Sequence, residues 1–234
     1  MINSFLLIGQ SNMAGRGIVT EVAPIINENV FSFKSGQWVT ATEPLHNDKP
    51  GLAGIGPGVS FADHLQRKYD KTIGLIPCAL GGTAIMEWQK GGSLYNNAVE
   101  QTMEAVLTSK LKGILWHQGE SDTHTLSDAQ LYKDRFETFL ADLLRDIGDL
   151  NIPIILGQLG EFLKDNPTHQ NYEVVNKSLL EIAGSKACYG FVTTEGLNHR
   201  GDLLHFDSVS QRELGIRYAK SYDECSRRLG ISLE

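Results

Sequence analysis

Five short apolar runs, each bounded by Gly or Pro and most of them separated by a stretch with helical spacing, limit what this chain can fold into. They are Phe5 to Ile8, Ile73 to Ile76, Gly113 to Trp116, Pro153 to Leu159 and Gly190 to Thr193. A continuous apolar run suits a strand covered on both faces, as in a parallel sheet with helices on either side. The clearest intervening helix is Ser127 to Ile147, which opens on a capping-box pattern, Ser127-x-x-Gln130. Its Leu131, Phe136, Phe139, Leu140, Leu143, Leu144 and Ile147 recur mostly at three- and four-residue spacings and form one apolar face.

Further helices are expected over Val59 to Tyr69, Leu94 to Ser109, Tyr172 to Gly184 and Ser210 to Cys225. Five strands with five helices predict a three-layer α/β/α sandwich around a mainly parallel five-stranded sheet in flavodoxin-like order. Between the first strand and the helix near Val59 lies a long irregular segment, Ile18 to Pro57. Asn29 to Lys34 and Gln37 to Thr40 read as a small hairpin around Ser35-Gly36, and Pro50 to Gly58 as loop. Long loops of this kind often border sites.

The 234 residues suffice for a single domain spanning 1–234 with a substantial core. At 41% hydrophobic and 21% charged, the composition is that of an ordinary globular protein. A net charge of -7, spread along the chain, disfavours a nucleic-acid partner. Three widely spaced cysteines give neither a disulfide framework nor a zinc spacing, which suits a reducing cytoplasm. The first apolar run is too short for a membrane span and has no basic region before it, so a cytoplasmic protein without a membrane partner is expected. A chain already trimmed of a leader would read the same way. Nothing in the sequence sets the oligomeric state.

In an open α/β sheet, ligands bind beyond the carboxyl ends of the strands. Small, polar and titratable residues collect there: Gly9-Gln10-Ser11-Asn12 after the first strand, Gly81-Gly82-Thr83 after the second, His117-Gln118-Gly119-Glu120-Ser121-Asp122 after the third, and Asp202-x-x-His205 after the last. A turn between Asp202 and His205 lets the carboxylate hold one ring nitrogen while the other faces Ser11. The N–H groups of Ser11 and Gly82 and the side-chain amide of Gln118 are candidate donors to an oxyanion. Each piece also has an ordinary reading: Gly81-Gly82 as a turn, His205 as a hydrogen-bonded histidine, Asp202 or Asp207 as a helix cap. Four such loops at one sheet edge argue jointly for a site.

The sequence Gly9-Gln10-Ser11-Asn12-Met13 departs from a G-x-S-x-G nucleophile elbow, and no P-loop ending is present. A rival reading is a metal hydrolase, from the H-x-x-D-x-x-H spacing of His199, Asp202 and His205 and from His117 and His124 flanking Glu120 and Asp122. That spacing matches no common zinc motif and leaves Ser11 and Gln118 without a role.

Taken together, Gly9 to Gly15, Gly81-Gly82-Thr83-x-Ile85-x-x-Trp88, His117 to Asp122 and Asp202-x-x-His205-Phe206 resemble the sequence blocks of the SGNH hydrolases, in particular the branch of acetylxylan esterases and sialate O-acetylesterases. The resemblance implies Ser11 as nucleophile, His205 as general base, Asp202 as its partner, and Ser11, Gly82 and Gln118 as oxyanion donors. It implies a serine esterase that needs no cofactor and removes O-acetyl groups from carbohydrate, either acetylxylan or related sugars. Alternatives are a sialate O-acetylesterase, a general short-chain ester hydrolase, and an inactive carbohydrate-binding protein. Glu120 either supports His205, in place of Asp202 or beside it, or pairs with Arg16 to brace the nucleophile loop. Asn12 and Arg16 are candidates for holding that loop. Trp38, Trp88 and Tyr95 are candidates for stacking on sugar faces.

Overall fold

The structure is a computed structural model that describes residues 1–148 and 151–234. Its centre is a seven-stranded sheet. The elements follow the order β1 (Ile2–Gly9), α1 (Ser11–Ala14), β2 (Val30–Lys34), β3 (Gln37–Thr40), α2 (Pro57–Tyr69), β4 (Ile73–Pro77), α3 (Ser93–Ala105), β5 (Ser109–His117), α4 (Leu126–Ile147), β6 (Ile154–Gly157), α5 (Tyr172–Ala183), β7 (Tyr189–Val192) and α6 (Ser208–Leu229).

Across the sheet the strands run β3-β2-β4-β1-β5-β6-β7. The five strands expected from the apolar runs are parallel and lie in flavodoxin-like order. The expected five-stranded sheet is nevertheless two strands short, because the β2–β3 hairpin joins its edge. Strand β2 pairs in parallel with β4 through Val30, Phe31 and Ser32, and β3 closes antiparallel on β2. The hairpin is legible from its turn, but its docking depends on side chains far away in sequence. Trp38 of β3, for example, covers Gly74 of β4 and donates its indole N–H to Thr108 Oγ1 at 3.0 Å.

Connection order decides which face each helix covers. From β1 the chain moves through α2 to β4 on one side, then reverses through α3 to β5, and continues the same way through α4 and α5. Right-handed crossovers therefore set α3, α4 and α5 on one face and α2 on the other, where α6 packs against it. On the α2/α6 face, Phe5 meets Phe61 and Tyr222 edge-on. On the opposite face, Trp116 is packed among Trp88, Phe136 and Phe139. The reversal of direction leaves a crevice at the carboxyl end of β1, beside β5.

Helix α4 starts one residue before the expected Ser127. Its cap is Thr125, whose Oγ1 accepts from Asp128 N–H at 3.1 Å, so the Ser127–Gln130 pattern makes no capping box. Phe136, Phe139, Leu140, Leu143, Leu144 and Ile147 are buried, whereas Leu131 is 43% exposed. Asp207 takes its ordinary role as cap of α6, accepting from Ser210 N–H at 2.7 Å. Among the described residues no helix is long and apolar enough to cross a membrane.

Candidate active site

Strand β1 ends on Gly9, whose φ of 134° is open to glycine but strained for other residues. A Cβ there would lie 2.1 Å from the carbonyl oxygen of His117, so the close pairing of β1 with β5 also demands glycine. The chain then turns directly into the single-turn helix α1, which makes Ser11 its first residue. Ser11 sits at the crevice, 5% exposed.

His205 reaches it from the loop between β7 and α6, with Nε2 3.0 Å from Ser11 Oγ and Nδ1 2.7 Å from Asp202 Oδ2. The other oxygen of Asp202 accepts from the backbone N–H groups of Leu204 at 3.0 Å and His205 at 2.8 Å, which folds the segment into the tight turn its spacing suggested. Burial pushes the Asp202 carboxyl up, but the hydrogen bonds from His205 outweigh it and hold the group below the ordinary aspartate value. His205 lies below the ordinary histidine value because burial outweighs its attraction to Asp202. Its neutral form is therefore ready to take a proton from Ser11.

Glu120 stands elsewhere. Its Oε1 accepts from Asn12 Nδ2 at 2.5 Å, and burial pushes its carboxyl up to about 7. The same Asn12 donates to Leu204 O at 3.1 Å and accepts from Phe206 N–H at 3.2 Å, so it ties the Ser11 turn to both sides of His205. Arg16 pairs not with Glu120 but with Asp48 of the long loop, in a buried two-pronged contact of 2.6 and 3.2 Å. Asp48 Oδ2 also accepts from Gly81 N–H at 2.8 Å, which links the Ser11 turn to the Gly81-Gly82 loop.

The expected role of Gln118 as an oxyanion donor does not fit its position. The side chain is fully buried, and its amide nitrogen faces three acceptors: Asp122 Oδ2 at 2.6 Å, Thr83 O at 2.9 Å and Gln10 Oε1 at 3.2 Å. Its hydrogens are committed beneath the cleft. Gln10 is the residue that sequence reasoning passed over. Its Oε1 also accepts from the N–H groups of Gly119 at 3.4 Å and Ser121 at 3.3 Å, which leaves Nε2 as the uncommitted end of a side chain lining the cleft. Among the described residues, Ser11 N–H, Gly82 N–H and Gln10 Nε2 have no protein acceptor. The available signal was position, since Gln10 immediately precedes Ser11 at a strand end.

The cleft measures about 390 Å³ and is bordered by Arg16, Lys49 and Leu52 as well as by Ser11, Gly82 and His205. The three aromatic candidates for sugar stacking face away from it. Trp88 is fully buried against Trp116, and Tyr95 is buried with its hydroxyl on Asp146. Trp38 packs on Phe33 at the hairpin edge of the sheet. Apolar packing claimed these rings. Of the residues behind the metal reading, His199 accepts from Gly201 and Leu203 N–H, and His117 is buried beside Tyr218. Among the described residues no three His, Cys, Asp or Glu side chains are grouped to hold a metal.

Comparison with known proteins agrees with this architecture. Residues 1–224 match the family described as "Carbohydrate esterase, sialic acid-specific acetylesterase". A probable carbohydrate esterase of Arabidopsis thaliana is 32% identical over 93% of this chain and 89% of its own length. A solved structure from Arabidopsis thaliana superposes with a TM-score of 0.85 at 30% identity, covering 94% of this chain and 97% of that one. A carbohydrate acetylesterase from Xanthomonas citri shares the fold at a TM-score of 0.70 and 20% identity, over 99% of this chain and 57% of that one. Matched from its first residue into the last turns of its final helix, the chain belongs to the sialic acid-specific acetylesterase family of carbohydrate esterases, within the SGNH superfamily.

Proposed function

We propose that the chain is a serine esterase that removes O-acetyl groups from carbohydrate through an acyl-enzyme. The observation that carries this reading is the continuous relay from Ser11 Oγ through His205 to Asp202, with separations of 3.0 and 2.7 Å. Ser11 Oγ attacks the ester carbonyl carbon as its proton passes to His205 Nε2, and Asp202 stabilises the imidazolium. The oxyanion is met by the N–H groups of Ser11 and Gly82 and by Gln10 Nε2. Collapse breaks the bond to the sugar oxygen, which leaves with the proton from His205. Water then attacks the acetyl-serine, His205 takes its proton, and acetate departs as the proton returns to Ser11 Oγ.

A short acyl group suits the cleft, whose aliphatic linings among the described residues are Leu52 and Leu204. Such walls offer little apolar surface to a long acyl chain. The family match and the carbohydrate esterases among the relatives support a sugar as the alcohol.

The test is hydrolysis of acetylated xylo-oligosaccharide and acetylated sialic acid by the native chain and by Ser11→Ala. The variant is expected to lose activity by about 10⁴-fold or more while keeping its fold. Undiminished hydrolysis by a folded Ser11→Ala protein overturns the reading. Labelling of Ser11 by a fluorophosphonate separates an esterase from an inactive binding protein, which has no activated serine to modify.

A further inference from the structure

Two histidines that acyl transfer leaves unused line the same cleft as Ser11. His124 precedes α4 and His169 lies in the loop before α5, yet their ring centroids are 4.7 Å apart. Their hydrogen bonds fix where each ring carries its proton. His124 Nδ1 lies 3.0 Å from Thr168 O, and a carbonyl only accepts, so Nδ1 holds the hydrogen.

For His169 the same conclusion follows along a chain of bonds. Asn166 Nδ2 donates to Leu203 O at 3.0 Å, which leaves Asn166 Oδ1 as an acceptor, and Thr168 Oγ1 donates to it at 2.9 Å. The hydroxyl hydrogen is thereby used, so at its 2.8 Å contact Thr168 Oγ1 accepts from His169 Nδ1–H. In the neutral form of each ring the lone pair is then on Nε2, and among the described residues neither Nε2 has a protein partner. Burial first, and then the neighbouring His124 and His205, hold His169 down to about 4, so it stays a neutral acceptor across the working range.

Elsewhere the cleft presents donors in Lys49 and in the unpaired N–H groups of Ser11 and Gly82. A pair of acceptors has a different complement, a ligand with neighbouring O–H donors. Sugars carry these and simple alcohols do not. We propose that His124 and His169 form the alcohol-side subsite, each accepting through Nε2 a hydrogen bond from a free hydroxyl next to the acetylated position of the sugar. This rests on the esterase reading above and assigns the discrimination for sugar over a plain alcohol to these two rings. The loop that carries His169 is tied through Asn166 to Leu203, two residues from His205, so the subsite is held in register with the base.

The experiment compares an acetylated methyl pyranoside bearing free hydroxyls beside the ester with its deoxy analogue, on the native chain, His169→Phe and His124→Phe. For the native chain, removing the hydroxyls is expected to lower kcat/KM about five- to tenfold, mainly through KM, as for the loss of one or two neutral hydrogen bonds. In either variant the discrimination should fall to about two- to threefold, the share of the one histidine that remains. His124 is exposed, so its variant carries the test even where His169→Phe fails to fold. A native chain indifferent to the hydroxyls, or variants that discriminate as well as the native chain, overturns the proposal. Hydrolysis of 4-nitrophenyl acetate by the native chain separates the two failures. Activity there without hydroxyl discrimination defeats the subsite alone, and no activity on any ester defeats the esterase reading and the subsite with it.

Discussion

Two glutamines, one at the end of β1 and one at the end of β5, are chemically identical and do opposite things. Gln118 is buried with its amide hydrogens committed, so its removal should act on folding, while Gln10 has an amide free at the cleft, and under the proposed mechanism its removal should act on the barrier. Gln10→Ala is expected to lower kcat by about 10²- to 10³-fold with little change in KM, as for one oxyanion donor. Gln118→Leu removes one donor each from Asp122, Thr83 O and Gln10 Oε1 and should instead lower the denaturation midpoint, by about 1–3 kcal/mol of stability. Steady-state kinetics and urea unfolding on the two variants distinguish the roles, and a kcat loss confined to Gln118→Leu would reverse the assignment. At the same scale, His205 lies below the ordinary value of 6.5, so kcat/KM should fall on the acid side with a midpoint below that pH. Asp202 raises the His205 value, so Asp202→Asn should move that limb further to acid while lowering kcat by about 10⁴-fold.

Between the strands, the long loop ahead of α2 is the element that completes the site. Asp48 holds Arg16 with both oxygens and Gly81 N–H with one of them, and Arg16 also donates to Gly15 O at 2.7 Å. Burial pushes the Asp48 carboxyl up, but the Arg16 bond wins and holds it below the usual aspartate value. Asp48→Ala would leave the guanidinium buried and unpaired and release the Gly81-Gly82 loop. A loss of about 3–5 kcal/mol in chemical unfolding is expected, with a fall in kcat larger than the rise in KM. Unchanged kcat in a folded variant would show that the loop holds its place unaided. This element also marks where sequence reading stops. The five buried strands were legible from continuous apolar runs, and the acid–base pair from a three-residue spacing that forces a turn. The partner of Arg16 lies in a loop with no periodicity, 32 residues away, and no local pattern points to Asp48 over Glu120. Trp88 and Tyr95 misled for a related reason: nearness to a site loop in sequence says nothing about which face a ring packs on.

For the molecule as a whole, the site imposes a pH-dependent cost on stability, because the layer beneath the cleft buries carboxyl groups. Glu120 is pushed up to about 7 and Asp122 to about 6, each first of all by burial. A carboxyl whose folded value is raised keeps its proton in the native state over a range where the unfolded chain has already released it. The native state then binds more protons than the unfolded state, and stability falls as pH rises through that window. For Glu120 the window runs from the unfolded value near 4.5 to the folded value near 7, and above it the full cost applies. The shift corresponds to a cost on the order of 3 kcal/mol. Glu120→Gln removes the titration while its side-chain oxygen can still accept from Asn12, so the variant should be less stable or equal near pH 5 and gain on the native chain steadily towards pH 8. The measurement is unfolding free energy by urea at a series of pH values for both proteins, with the difference between them isolating Glu120 from Asp122. Parallel curves across the window would mean that Glu120 is charged in the native state and that Asn12 alone offsets its burial.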